Sequence, residues 1–192
     1  DPDVQKQLQS SVDNALSGYT EKDKNGIYKT QASGTCIDND TGKVVAIVGG
    51  REQKNIGYTL NRAFQSPRQP GSAIKPLLVY APALEHGWSA GSTVNDSPMS
   101  TKDKNRVRNS HGSYSGQISL RRAVQKSSNV ATMRIYEQLT PKTCLKYLEE
   151  MNFKYLTDSD YKYYTTCIGG FTKGTTSEEM AARYATLKND GV

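Results

Sequence analysis

Arg68-Gln69-Pro70-Gly71-Ser72-Ala73-Ile74-Lys75-Pro76 is the stretch on which both fold and chemistry turn. Pro70-Gly71 imposes a turn, and a helix is expected to begin at Ser72. Pro76 then falls in the first helical turn, where its missing N–H removes no intrahelical bond. Ser72 and Lys75 stand three apart, so their side chains share a helix face. A serine hydroxyl is a poor nucleophile until a base takes its proton. A lysine can be that base when burial or a neighbouring cation lowers its pKa. The helix N-terminus adds backbone N–H groups and the positive end of a dipole beside the reacting oxygen. Taken alone, S-x-x-K is more simply a helix cap followed by a solvated lysine.

A second constellation, Lys126-Ser127-Ser128-Asn129, lies further along the chain between two expected helices. Ser127 and Asn129 put a hydroxyl and an amide on one short turn. A hydroxyl can relay a proton, and an amide can orient a carbonyl. Alone this too reads as a capping turn, because Ser and Asn favour such positions. S-x-x-K followed in order by an S-x-N turn is the pattern of serine–lysine acyl-transferases.

Outward from these motifs, residues 1–18 read as a helix, with Val4, Leu8, Val12, Ala15 and Leu16 at helical spacing and Gly18 as a stop. Residues 31–37 and 43–48 read as strands flanking the turn cluster Asp38-Asn39-Asp40-Thr41-Gly42, which predicts a hairpin. Helices are expected over 72–85 and from Ser119, as N-cap, through about Lys126. Two more are expected over 130–139 and from Thr140-Pro141 to Asn152. Residues 88–116 read as a looped region. Thr176 and Glu179 form a capping-box pattern opening a last helix that Asn189-Asp190-Gly191 should end.

The net charge is +6, yet only 102–108 is locally basic, and no aromatic residue interrupts it. A solvated loop fits this stretch better than a nucleic-acid surface. No apolar run approaches the roughly 20 residues of a membrane helix. Cys36, Cys144 and Cys167 lie far apart without C-x-x-C spacing, which argues against a metal site. One disulfide is conceivable, its pairing undetermined, while Cys36 on a strand and Cys144 on a helix face read as packing residues.

The resemblance reaches well beyond the motifs. Thr41-Gly42-Lys43-Val44-Val45-Ala46-Ile47-Val48-Gly49-Gly50 resembles the strand that opens the transpeptidase domain of class A penicillin-binding proteins. Asn61-Arg62-Ala63 with 68–75 is similar to that family's nucleophile block. Residues 112–129, with Tyr114-Ser115-Gly116 and Leu120-Arg121-Arg122-Ala123, resemble its second block. The run from Gly169-Gly170 through Glu179-Met180-Ala181 to Gly191-Val192 resembles the helix before the third motif.

This resemblance implies an α/β fold of the α+β, β-lactamase/transpeptidase-like type. Residues 1–192 would form one partial domain, with the first sheet hairpin at 31–50 and a mainly helical part at 61–192 carrying both motifs. It implies a peptidoglycan DD-transpeptidase acting on D-Ala-D-Ala stem peptides. Ser72 would be the nucleophile and Lys75 its base. Ser127 would shuttle protons, and Asn129 would hold the peptide backbone. β-Lactams would acylate Ser72; no cofactor or metal is implied, and no nucleic-acid partner. The implied location is the extracytoplasmic face of a bacterial cytoplasmic membrane, with the anchor and a glycosyltransferase domain outside this chain. A penicillin sensor, a catalytically idle domain or a serine β-lactamase are the alternatives.

The sequence departs from the family pattern in lacking K-T-G on a strand. Lys173-Gly174-Thr175-Thr176 is ordered differently and reads as a pre-helix loop. Three strands of the usual sheet would then lie outside the chain. Residues 31–48 are expected to show an unpaired edge, covered by the remaining C-terminal part or another chain. Pro82 is expected to bend the nucleophile helix. Glu149-Glu150-Met151-Asn152 reads as a helix end rather than a deacylating carboxylate. His86 and His111 read as helix-end and loop residues, and Tyr155, Tyr161, Tyr163 and Tyr164 as loop packing.

Overall fold

The computed structural model describes residues 1–52, 59–100 and 106–189. In chain order the first elements are α1 (Pro2–Ala15), β1 (Gly34–Ile37), β2 (Val44–Val48), α2 (Arg62–Gln65), α3 (Ala81–Glu85), β3 (Thr93–Asp96) and β4 (Met99–Ser100). They are followed by β5 (Arg106–Val107), β6 (Gly116–Ser119), α4 (Leu120–Gln125), α5 (Asn129–Leu139), α6 (Pro141–Glu150) and α7 (Ser177–Thr186). These form two compact units, one of Asp1–Arg68 with Thr175–Val192 and one of Gln69–Gly174.

In the first unit, Asp1 caps α1 by accepting from the Asp3 and Val4 amides. The helix stops at Ala15, three residues short of Gly18, because the Leu16 backbone leaves helical geometry. β1 and β2 pair antiparallel, Thr35 opposite Ile47 and Cys36 opposite Ala46. The turn between them is built as its residues predict. Asp38 Oδ1 accepts from the Asp40 and Thr41 amides, and Gly42 supplies a φ of 68°. α7 carries the expected capping box, with Thr176 Oγ1 accepting from the Glu179 amide and Glu179 Oε2 from that of Thr176. It ends at Thr186, earlier than the Asn189 signal; Asp190 and Gly191 lie outside the described residues.

Residues 31–48 were expected to show an unpaired edge, and of the two edges of this hairpin that of β2 is covered by a helix. Gln5 of α1 donates Nε2 to Ile47 O at 2.9 Å and accepts from Ile47 N at 2.8 Å. One amide thus replaces both backbone bonds that a neighbouring strand would make with Ile47. The Asp1 nitrogen reaches Val45 O at 2.7 Å. Among the described residues, no strand pairs with the other edge, that of β1.

The second unit opens with three helix types in succession rather than the single helix expected over 72–85. Gly71–Ile74 is a 3-10 turn, Pro76–Tyr80 a π turn, and α3 completes the run. The two prolines explain this. Pro76 has no N–H for Ser72 O, so the Lys75 amide bonds Ser72 O in the tighter 3-10 pattern. Pro82 has none for Leu78 O, and the Ala81 amide reaches back five residues to Pro76 O. A wider turn thus lies just before Pro82, the residue near which the helix was expected to bend. Ile74, Leu77, Leu78 and Val79 are fully buried, as are Ile135, Leu145 and Leu148 of α5 and α6.

The region 88–116, read as loop, contains β3, which pairs with β6 at its end, and β4 paired with β5. Strands of four and two residues leave too few alternations to stand out. The basic stretch 102–108 lies partly outside the described residues; its described end includes β5. Ser119 caps α4 as expected, and Thr140 with Pro141 opens α6. All three cysteines are free thiols, Cys144 and Cys167 buried.

Candidate active site

Lys75 is the centre of the site, only 1% exposed. Its Nζ donates to Ser127 O at 2.8 Å, to Ser127 Oγ at 3.2 Å and to Asn129 Oδ1 at 2.7 Å. Three of the four residues expected from sequence are therefore bonded together. Burial pulls the Lys75 pKa from 10.5 down to about 8, with the Cys167 sulfur acting in the opposite direction. Burial also pushes the Cys167 thiol well above its usual range.

Ser72 sits one 3-10 turn before Lys75. In that geometry residues i and i+3 eclipse, which stacks the two side chains on one face. The Ser72 residue is exposed, and no hydrogen bond joins its Oγ to Lys75. Ser72 is thus exposed, while the Lys75 amine is already held by Ser127 and Asn129.

The turn that bears Ser127 and Asn129 is strained and held from below. Ser127 has a φ of 48°, unusual for a residue with a side chain. Ser128 Oγ caps α5 through the Ala131 amide and donates to Asp96 Oδ1 at 2.7 Å. Asn109 Nδ2 donates to the same carboxylate oxygen at 2.8 Å, and its Oδ1 accepts from the Asn129 amide at 2.9 Å. Asp96 Oδ2 accepts from the Ser115 amide at 3.0 Å. Asp96, Asn109 and Ser128 are almost wholly buried. Asn129 Nδ2 donates to Arg108 O, which fixes which way its amide oxygen points.

Sequence reasoning missed Asp96 and Asn109. For Asp96 the signal was the alternation Thr93-Val94-Asn95-Asp96, which places it on the same buried face as Val94.

The turn before Ser72 rests on another glycine. A Cβ placed on Gly169 would lie 2.2 Å from Gly71 Cα, and Gly169 has a φ of 94°. Gln69 Nε2 also donates to Phe171 O at 3.0 Å. The segment after the 3-10 turn Tyr164–Ile168 thus braces the turn before Ser72 backbone to backbone.

The remaining sequence candidates lie elsewhere. Glu149 is exposed and accepts from the Tyr161 hydroxyl, and Glu150 pairs with Lys146 at 3.4 Å. His86 ends α3 with Nδ1 2.9 Å from Pro82 O. His111 is exposed in a loop. Thr175 and Thr176 lead into α7, and Thr175 pairs with Arg68 across an antiparallel bridge. Tyr164 packs edge-on to Tyr136 at 6.3 Å, whereas Tyr163 is 61% exposed. Among the described residues, no three His, Cys, Asp or Glu side chains gather as a metal site requires.

Comparison with known proteins places the chain in a family. The model of the penicillin binding protein transpeptidase domain matches residues 32–192. Penicillin-binding protein 1A of Clostridium perfringens (strain 13 / Type A) is 36% identical over 186 residues, 90% of this chain and 27% of that relative. Penicillin-binding protein 4 of Bacillus subtilis (strain 168) is 33% identical over 162 residues, 84% of this chain and 25% of its own length. The chain therefore spans about a quarter of the curated relatives it matches. The crystal structure of penicillin-binding protein 1A from Haemophilus influenzae superposes with a TM-score of 0.71 at 28% identity, over 88% of this chain and 26% of that one.

Proposed function

This chain belongs to the penicillin-binding protein transpeptidase family, and from that premise we propose that it contributes the acylating half of a peptidoglycan DD-transpeptidase site. Ser72 Oγ attacks the carbonyl carbon between the two terminal D-alanines of a stem peptide. Its proton passes to neutral Lys75, and the C–N bond breaks as the departing D-alanine amine takes up a proton. An ester on Ser72 remains. An acceptor amine then attacks that ester, the new amide forms, and the proton returns to Ser72 Oγ. A β-lactam follows the first half of this route, with its ring amide as the bond that breaks.

The observation that carries the reading is the Lys75 amine, buried and held by Ser127 and Asn129 with its pKa drawn to about 8. At neutral pH about one such amine in ten is unprotonated, against fewer than about one in a thousand for an ordinary lysine. Ser127 Oγ, bonded to that amine, is the relay toward the leaving group, and Asn129 supplies an amide for the peptide backbone. Location outside the cytoplasmic membrane and completion of the sheet by further chain belong to the same proposal. Among the described residues no helix is long and apolar enough to cross a membrane.

Fluorescent penicillin tests it on the intact protein carrying this chain. A stable adduct on Ser72 is expected, lost in Ser72→Ala and slowed by about a hundredfold or more in Lys75→Ala. Labelling that persists in Ser72→Ala would remove Ser72 as the nucleophile. Rapid release of the adduct would instead point to a β-lactamase.

A further inference from the structure

Residues 151–174 contain no strand and, apart from the 3-10 turn Tyr164–Ile168, no helix. A stretch this long without ladder hydrogen bonds needs another means of fixing its path. Asp160, only 1% exposed, provides it. Its Oδ1 accepts from the Thr172 amide at 2.8 Å and from the Thr172 hydroxyl at 3.0 Å. Its Oδ2 accepts from the Thr157 amide at 2.8 Å and from the Thr157 hydroxyl at 3.0 Å. Asp160 O accepts from the hydroxyl of Thr166, itself fully buried, at 2.9 Å. A carboxylate is costly to bury unless its charge is answered, and these donors answer both oxygens. An asparagine could satisfy only one of the two threonines, because its NH2 group would face an N–H and an O–H.

The anchored points flank the brace behind Ser72. Thr166 precedes Gly169 and Thr172 follows it, and Gly169 lies against Gly71. The link to the turn is shorter still. Phe171 O and the Thr172 N–H belong to one peptide group. Its N–H donates to Asp160, and its oxygen accepts from Gln69 Nε2 at 3.0 Å. A peptide group is planar and stiff, so a position set at one end is set at the other. Donation to a carboxylate also polarises the group and makes its oxygen a better acceptor. Gln69 opens the run Gln69-Pro70-Gly71-Ser72. One buried carboxylate thus reaches the turn before Ser72 through a single peptide and a single glutamine.

We propose that Asp160 is a positioning residue for acyl transfer, its carboxylate holding the 171–172 peptide, and through it Gln69 and the turn that presents Ser72. This rests on the reading of Ser72 as nucleophile.

Stopped-flow acylation of the intact protein by fluorescent penicillin, over a range of concentrations, separates the limiting rate from the half-saturating concentration. In Asp160→Asn the limiting rate is expected to fall by about tenfold or more. The half-saturating concentration should stay within about threefold of wild type. A purely structural role would act differently: it would lower the fraction of molecules that label and leave the rate constant of the folded ones unchanged. Thr172→Val, which keeps the amide bond and removes only the hydroxyl donor, serves if Asp160→Asn folds poorly. It should slow the limiting rate by about threefold or more, and Thr172→Ser, which returns the hydroxyl, should recover it. A wild-type limiting rate in Asp160→Asn overturns the proposal, as does a Thr172→Ser protein as slow as Thr172→Val. Hydrogen exchange supplies a reading that needs no chemistry at Ser72. The amides of 69–75 should exchange faster in Asp160→Asn while those of α5 do not change, and unaltered exchange at 69–75 also overturns the proposal. Failure of the wild type to label at Ser72 would count against the acyl-transfer reading, and the exchange result would still decide whether Asp160 holds the turn.

Discussion

Gly169→Ala tests whether the contact between two glycines sets the position of the nucleophile. The added methyl would lie 2.2 Å from Gly71 Cα and 2.2 Å from Gly71 O, where ordinary contact begins at 3.4 Å. One backbone must therefore retreat by roughly 1 Å, and the partner is the residue that precedes Ser72. Displacement of that size at a reacting atom costs about a hundredfold in rate. The alanine must also hold the φ of 94° found at Gly169, which adds about 1 to 2 kcal/mol of strain. The assay is the second-order rate of Ser72 acylation by fluorescent penicillin in the intact protein, with urea unfolding in parallel. Gly170→Ala is the control. Its methyl meets Thr165 at 3.2 Å with no positive φ, so small relaxations suffice. A Gly169→Ala protein that acylates within about threefold of wild type would show that the brace does not position Ser72.

Two further outcomes follow from the same site. The acylation rate should rise with pH by about tenfold per unit and level off near the Lys75 pKa of about 8, and a midpoint near that of a free lysine would contradict Lys75 as base. Because the folded-state pKa is lowered from 10.5, the unfolded chain binds the extra proton between about 8 and 10.5. This lysine's contribution to stability is therefore least below pH 8 and improves as pH rises through that window, which urea titrations at several pH values would show. Asp96→Ala removes the acceptor of Ser128 Oγ, Asn109 Nδ2 and the Ser115 amide. About 3 kcal/mol of stability should be lost in urea unfolding, together with most of the acylation rate, and a loss below about 1 kcal/mol would remove Asp96 as the turn's support.

How much of this was legible in the chain depends on how local the cause is. Thr176 and Glu179, Thr140-Pro141 and the Asp38 to Gly42 turn all act within a few residues, and each forms what its residues predict. The order of Ser72, Lys75, Ser127 and Asn129 pointed to one site because their types are complementary, and the structure joins the last three. Other features depend on distant neighbours. The burial that shifts Lys75 comes from packing across the unit, which spacing cannot show. Asp96 and Asn109 meet Ser128 only after β3 and β6 have paired. The 3-10 and π turns were readable in principle, since Pro76 and Pro82 remove two successive helical bonds, but periodicity alone suggested an unbroken helix. The role of Gln5 on β2 gave no signal in α1, where it reads as one more polar helical residue.

That glutamine has a consequence for how the hairpin can be extended. A glutamine amide satisfies one residue's pair of backbone groups and then terminates, because nothing behind it repeats the pattern. Growth of the sheet is thereby made one-directional: an incoming strand finds docking groups along β1, while the β2 flank is sealed by a helix that cannot serve as a template. Assembly by edge association should accordingly stop at pairs joined through β1 instead of running on into fibres.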